Sequence, residues 1–373
     1  GQGVTDTEIK IGQTMPYSGP ASAYGILGRA EAAYFQMIND QGGVNGRKIK
    51  LISLDDGFSP PKAVEATRRL VEDEGVFLTF SSVGTAAQSA VQKYLNAKKV
   101  PQLFLATGAA KFNDPARFPM TTPILHLYAT EGEVYARYLL ANKPDAKVGI
   151  LVQNDDFGRD FVAGFKRALG DRAATVIVRE APFEVADPTV DSQILALKAS
   201  GADTLFNASL GKQTAQALKK LAEIGWAPTH IVVSTSVSRQ VLEAAGLDKA
   251  KGIITARPYK QAASPAYAND PDVVAYRQFM QKYMPNEDAN NELGFSGYAW
   301  AATLTKLLAS CGDELTADNI TRKATSMKDV ASPALLPGIA YNTSASDYAP
   351  IKKLRIQRFA GDDWESIQDV SVE

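Results

Sequence analysis

What most constrains this chain is a repeated alternation. Short apolar runs end in small or turn-forming residues, and each is followed by a stretch with apolar residues at helical spacing. Residues 8–15 alternate and then turn at Pro16-Tyr17-Ser18-Gly19-Pro20. Ala30, Ala33, Tyr34, Met37 and Ile38 mark a helix over 22–40, which stops at Gly42-Gly43. Residues 49–54 read as a second strand ending in Asp55-Asp56, and Pro60-Pro61 opens a helix, because proline is tolerated in a first helical turn. Residues 76–80 and 100–105 are the third and fourth strands. Strands separated by helices pair in parallel, so the expectation is a parallel sheet with helices on both faces.

The pattern then restarts. Residues 147–152 read as a strand, 157–169 as a helix and 174–181 as a strand. Asp187 is expected to cap a helix that has Pro188 at its first position, Val190, Ile194 and Leu197 on one face, and Gly201 at its end. With strands at 204–206 and 231–233 around a helix at 213–224, a second sheet of the same kind spans about 125–254. A short strand at 252–256 precedes helices at 271–284, at 291–309 and from Thr316, and strands return at 354–359 and 364–370. The late helices are expected to cover the first sheet and the tail strands to complete the second. A chain of 373 residues exceeds what one core usually supports, which agrees with two domains.

The composition narrows the chemistry. Forty basic residues balance 41 acidic ones without a Lys/Arg run, which argues against a nucleic-acid or anionic-membrane partner. No apolar run approaches the length of a membrane span. The polar start, Gly1-Gln2-Gly3-Val4-Thr5-Asp6, fits a mature chain after processing or a cytoplasmic protein. Cys311 is the sole cysteine, so no internal disulfide forms. His126 and His230 lie far apart and lack ligand-type spacing, so neither a metal site nor a nucleophile-histidine triad is expected. Gly12 and Gly19 are wrongly spaced for a dinucleotide fingerprint, and no cofactor is expected. Asp55 and Asp56 are adjacent at a strand end and point to opposite sides, which suits loop solvation and helix capping better than an acid/base pair. A regulator would need an N-terminal DNA-binding region of about sixty residues, and the first strand begins near Glu8.

Two strand ends stand out. Phe80-Ser81-Ser82-Val83-Gly84-Thr85 and Leu105-Ala106-Thr107-Gly108-Ala109 each run from an apolar strand into small residues, which let a backbone approach something else. They read either as two lips of one pocket or as ordinary strand-to-helix turns of a parallel sheet.

The chain resembles the periplasmic solute-binding proteins of ABC transporters of the leucine/isoleucine/valine-binding type. The likeness runs over nearly the whole length. It is strongest at Met37-Ile38-Asn39-Asp40-Gln41-Gly42-Gly43-Val44-Asn45-Gly46 and Asp55-Asp56. Further marks are Tyr17-Ser18-Gly19-Pro20, Asn154-Asp155-Asp156-Phe157-Gly158, Ser200-Gly201-Ala202-Asp203 and Gly297-Tyr298-Ala299-Trp300. The resemblance implies an α/β fold of two doubly wound parallel-sheet lobes that close on a small ligand by hinge motion. The three crossovers are expected near 121–125, 252–257 and 332–338. The lobes would comprise 1–123 plus 255–334 and 124–254 plus 335–373. It further implies a monomeric, non-enzymatic, periplasmic protein that serves a permease in the inner membrane.

In this family the first lobe holds the ligand carboxylate through a hydroxyl and backbone N–H groups. The resemblance places Thr85 at the hydroxyl position and Ala106 at a carbonyl position, with Gly84 and Thr107 beside them and Gly108 where amino-acid binders have threonine. Tyr24 and Phe157 match aromatic ligand contacts, one from each lobe, although each could instead pack within its own lobe. Amino-acid binders pair the ligand ammonium with an acidic residue, but the matching stretch here is Val233-Ser234-Thr235-Ser236-Val237. A buried unpaired ammonium costs several kcal/mol. The family's early disulfide is also missing, with Phe58 at one of its positions, and Leu125-His126-Leu127-Tyr128 replaces a more polar hinge run. A carboxylate holder without an ammonium partner, lined by Tyr24, Tyr128, Phe157 and Thr235, leads to the expectation of a small aromatic carboxylic acid, of the coumarate or benzoate kind. The alternatives are a binder of branched-chain amino acids, short amides or urea, and, further off, a doubly wound enzyme.

Overall fold

In the computed structural model, which describes residues 1–372, the chain divides into two units. Residues 1–126 and 259–351 make the first, and residues 127–258 with the segment from 352 onward make the second. The chain changes unit after His126, Pro258 and Ile351.

The first unit opens with β1 (Glu8–Met15), α1 (Ile26–Asp40), β2 (Lys48–Asp55), α2 (Pro60–Arg68), β3 (Leu78–Phe80), α3 (Thr85–Ala97), β4 (Gln102–Leu105) and β5 (Thr121–Pro123). Its sheet has the order β2-β1-β3-β4-β5, with every pair parallel. The central strands are buried on both faces and therefore read as apolar runs, whereas the edge strand β2 turns Lys48 and Lys50 outward, which discourages pairing with another chain.

The second unit follows with α4 (Tyr128–Asn142), β6 (Val148–Gln153), α5 (Asp156–Leu169), α6 (Ala173–Val176), β7 (Ile177–Phe183), α7 (Asp191–Ala199), β8 (Thr204–Ala208), α8 (Gly211–Ile224), β9 (Thr229–Val232), α9 (Arg239–Ala245), α10 (Leu247–Ala250) and β10 (Ile254–Arg257). Three helices then return to the first unit: α11 (Pro271–Tyr283), α12 (Glu292–Ser310) and α13 (Ala317–Ala324). Asp270, Asn291 and Thr316 cap them, each accepting a backbone N–H of the first turn. β11 (Lys353–Phe359) and β12 (Trp364–Ser371) complete the second sheet, whose order is β12-β11-β10-β9-β8-β6-β7. β11 is antiparallel to β10, and β12 is antiparallel to β11. β7-β6-β8-β9-β10 repeats the winding of the first sheet.

Glycines set two of the closest helix contacts. A Cβ on Gly164 of α5 would lie 1.8 Å from the carbonyl oxygen of Ala129 in α4, and one on Gly132 of α4 would lie 2.1 Å from that of Phe161 in α5. In the first unit, Gly297 of α12 lets that helix approach Leu27 of α1, and Phe279, Phe295 and Tyr298 pack with Ile26 and Ala30 in one apolar cluster.

Three local expectations are corrected. The segment 335–351 belongs to the first unit: Leu335 bridges Tyr259, Asp347 accepts from Asn113 at 3.0 Å, and the Tyr348 hydroxyl donates to the Pro119 carbonyl. It has no long periodic element, only short bridges at Val330 with Tyr341 and at Ser344 with Asp347, so its sequence carries little sign of where it packs. The strand expected at 174–181 starts only at Ile177, because Ala173–Val176 continues a helical turn. Asp187 does not cap a helix; its carboxylate accepts the Glu184 N–H at 2.9 Å, and α7 begins at Asp191.

His230 on β9 is buried beside Asn207, whose amide lies 3.2 Å from Nε2, and burial pushes its pKa down from 6.5 to about 3. A depressed imidazole pKa means the unfolded chain takes up a proton first, so stability falls as pH drops from 6.5 toward 3. We expect His230→Gln to remove about 2 kcal/mol of the stability lost between pH 6.5 and pH 4.5, measured as the difference in urea unfolding free energy between the two proteins.

Candidate functional site

In a parallel sheet of order β2-β1-β3-β4-β5 the winding reverses between β1 and β3, and the loops that leave the carboxyl ends of those strands diverge into a crevice. The loops concerned in the first unit follow β1, β3 and β4. The backbone leading into them is strained: Ser81, just past β3, and Phe104, within β4, both have φ +55°, which is uncommon for any residue but glycine.

Gly84 has φ +110° and is the N-cap of α3, with no side chain to accept the helix's first N–H groups. Those of Thr85, Ala86 and Ala87 therefore lack both an intrahelical acceptor and a side-chain cap, at the positive end of a 13-residue helix. Thr85 is buried, and its Oγ1 lies 2.8 Å from Oγ1 of Thr107 in the other turn. The Ala109 N–H donates to Thr107 Oγ1 at 3.3 Å, Ala106 bridges Val83 in parallel, and the Ala106 N–H donates to the Ser82 carbonyl at 3.2 Å. The two turns are thus joined directly. Thr107 enters through its hydroxyl, Ala106 is partly exposed, and Gly108 is buried. Tyr24 closes a short helical turn in the loop after β1 and is buried.

A polar chain backs this corner. The Tyr17 hydroxyl lies 2.6 Å from Ser53 Oγ, which donates to Gln13 Oε1; the Gln13 amide donates to Glu31 Oε1 at 2.8 Å and to the Phe80 carbonyl. Ser53 spends its proton on Gln13, so Tyr17 is the donor in the first link. Burial holds the Glu31 carboxyl well above the usual carboxylate range, against the opposing pull of Ser81 and Gln13. Asp55 accepts from the N–H groups of Tyr17, Ser18 and Gly57 and from the Ser18 hydroxyl; these bonds outweigh its desolvation and keep its pKa low.

In the second unit the winding reverses between β6 and β8. After β6, Asp155 caps α5 by accepting the Gly158 N–H at 3.2 Å. This sets Phe157 in the first turn, where its ring meets Tyr128 edge-on at 5.2 Å; Tyr128 stacks on Phe161 at 4.4 Å. The two expected aromatic residues therefore stand together in a buried three-ring cluster at the starts of α4 and α5. After β8, Ser209 Oγ lies 2.5 Å from Asn207 Oδ1 and 2.7 Å from Thr214 Oγ1. Thr235 sits partly exposed in the short turn Ser234–Ser236.

That turn lacks a carboxylate of its own but is held by one from α4. Glu131, fully buried, accepts the Ser234 N–H at 2.9 Å, the Ser234 hydroxyl at 2.5 Å and the Tyr135 hydroxyl at 2.6 Å. Burial and the neighbouring Glu131 charge push the Tyr135 phenol well above its ordinary range. Among the described residues no group of three or more His, Cys, Asp or Glu side chains is arranged to hold a metal ion, and no helix is long and apolar enough to cross a membrane.

A profile of periplasmic binding proteins matches residues 8–363. The chain belongs to the periplasmic binding protein family. Among its relatives, the Leu/Ile/Val-binding protein BraC3 of Rhizobium johnstonii is 25% identical over 272 residues, 70% of this chain and 72% of that protein. The leucine-, isoleucine-, valine-, threonine- and alanine-binding protein of Pseudomonas aeruginosa is 21% identical over 82% of this chain and 79% of its own. Of the solved structures, a branched-chain amino acid ABC transporter protein from Thermus thermophilus with bound valine superposes with a TM-score of 0.87 at 16% identity, covering 99% of this chain and 97% of that one. A fatty acid ABC transporter substrate-binding protein from Thermomonospora curvata gives 0.80 at 20% identity, covering 100% and 94%. These structural likenesses establish the two-sheet α/β fold.

The sequence reading missed Glu131, Ser209 and the strain at Ser81 and Phe104. Ser209 carried a usable signal, since Asn207-Ala208-Ser209-Leu210-Gly211 is another apolar strand running into small residues. Glu131 carried none, because Ser234, whose turn it holds, is far away in sequence. Glu131→Gln puts an amide donor where three donors converge and is expected to cost about 1–3 kcal/mol in urea unfolding. An unchanged midpoint would show that the Ser234 turn does not depend on this carboxylate.

Proposed function

We propose that this chain is the extracytoplasmic solute-binding component of an ABC uptake transporter and that it binds a small organic acid with an apolar, preferably aromatic, body. The observation that carries this reading is the pair of joined turns in the first unit. An uncapped helix start, two facing threonine hydroxyls and small side chains make a seat for a carboxylate. In this reading Gly84, Thr85, Ala106, Thr107 and Gly108 hold the acid group and Tyr24 contacts the body. Tyr128, Phe157 and Thr235 are the second unit's contribution, and the partner is a membrane permease. The protein acts as a monomer and performs no catalysis.

The absence of an ammonium partner in residues 233–237 favours an acid over an α-amino acid. Glu131 does not supply one, since it is fully buried and spends its oxygens on Ser234 and Tyr135. The three-ring cluster supports an apolar or aromatic body, which buries area and stacks well against rings. The fatty-acid name of the Thermomonospora neighbour belongs to a ligand of the same electrical kind, a carboxylate without an amine. The names of the Rhizobium and Pseudomonas relatives and the valine of the Thermus structure favour a second reading, a branched-chain amino acid.

A thermal-shift panel on protein unfolded and refolded to strip carried ligand separates the two. It sets leucine, valine, a short amide and urea beside benzoate, 3-phenylpropionate, coumarate and an aliphatic acid. A ligand that binds only the native state raises the melting temperature by mass action. We expect shifts with the aromatic acids and none with leucine or valine; the reverse pattern would replace the aromatic-acid reading with the amino-acid one. Thr85→Val should weaken whichever carboxylate binds by roughly ten- to a hundredfold, the range for losing a hydrogen bond to a charged group. Equal affinities in the two proteins would remove Thr85 from the site.

A further inference from the structure

The turn that follows β2 leans on the proposed carboxylate seat. Asp56 is fully buried just past the end of that strand, where its N–H donates to the Met15 carbonyl at 3.1 Å. Its Oδ1 accepts the Phe58 N–H at 2.9 Å, and its carbonyl accepts the Ser59 N–H at 2.9 Å. Its Oδ2 is buried without a hydrogen-bond partner. Phe58 is held at φ +63°, a conformation that a phenylalanine does not adopt without restraint. Its ring lies against Gly84, 3.3 Å from where a Cβ on that glycine would stand. Asp56, Phe58 and the N-cap of α3 are therefore three links of one packed chain.

We propose that Asp56 is a positioning residue for the carboxylate seat, acting through Phe58, and that its negative charge opposes an anion held at the start of α3. The inference rests on the reading of that seat as an anion site. The surroundings give the charge little compensation. Asp55, its neighbour in the chain, is itself acidic, and the loop after β1 adds no charged side chain, only the phenols of Tyr17 and Tyr24. The strand end at residues 13–15 and the first two turns of α3, residues 85–92, carry no charged side chain. The nearby cation is Lys62 of α2, whose amine stands by Gly57. Burial, opposed by the Phe58 N–H and reinforced by Asp55, raises the Asp56 pKa from 3.8 to about 6.

The sign follows. An anion at the seat binds the neutral form of Asp56 better than the ionised form, so binding raises the Asp56 pKa further and takes up a proton. Affinity is highest below pH 6 and falls as pH rises through it.

The test is calorimetric titration of coumarate, benzoate and leucine into the whole protein at pH 5 and pH 8, where the charge of leucine and the carboxylates of all three stay essentially constant. For whichever binds, we expect roughly three- to tenfold weaker binding at pH 8, with proton uptake near pH 7 seen as a dependence of the heat on buffer. Asp56→Asn keeps an acceptor for the Phe58 N–H and removes the charge, so it should bind at pH 8 as wild type does at pH 5, with a flat profile. Phe58→Ala should bind more weakly at both pH values and keep the slope. A purely structural Asp56 predicts the same profile in wild type and Asp56→Asn, and that result overturns the proposal, as does pH-independent binding in wild type. Binding by leucine alone, with the expected slope, would support Asp56 while removing the aromatic-acid reading. Failure of all three carboxylates to bind would retire both.

Discussion

The contact on which the rest depends is the hydroxyl pair of Thr85 and Thr107. It joins the start of α3 to the turn after β4, and it can form only because both turns leave adjacent parallel strands at their carboxyl ends. Gly84 leaves the helix start without a cap, so the pair borders a cluster of N–H groups with no internal acceptor. A Ser, Asp or Asn at this position would have satisfied one of those groups with its side chain. With glycine at the N-cap, leaving them open costs the free protein only a few tenths of a kcal/mol relative to a side-chain cap, and the donors stay open. The positive φ of Ser81 and Phe104 points the same way, since strain of this kind persists where the surrounding structure fixes the backbone for a purpose.

Both units repeat one winding, and this sets the position of functional groups more than any single residue does. In each, the reversal between the first and third strands opens a crevice at the sheet's carboxyl edge. The first unit furnishes that edge with hydroxyls and backbone donors. The second furnishes it with rings and with a turn pinned from behind by Glu131. The carboxylate nearest the Ser234 turn is buried beneath it rather than offered from it.

Much of the fold was legible because it is written in local periodicity. Apolar strands buried on both faces, glycine stops and the caps at Asn291 and Thr316 all act within a few residues of themselves. The late helices and tail strands could be assigned by counting strands. The errors came where local signals competed. Asp187 before Pro188 reads as a cap, yet its carboxylate closes a tight turn on Glu184. Residues 335–351 have no periodicity, and their place in the first unit is decided by contacts with Tyr259, Asn113 and Pro119, which are distant in sequence. Of the candidate site, the small-residue turns could be read, but the link between Thr85 and Thr107 could not, because it needs the order of the strands. Glu131 was hidden because the Ser234 turn it holds lies far along the chain, and Asp56, read from the sequence as loop solvation and capping, is instead fully buried with Oδ2 unpartnered, a burial that depends on the packing around it.

The most direct test of the central claim is a crystal structure of the protein with the carboxylate ligand that gives the largest thermal shift. Carboxylate oxygens are expected within about 3 Å of Thr85 Oγ1 and of the first backbone N–H groups of α3. A carboxylate bound elsewhere, with the start of α3 left to water, would contradict it.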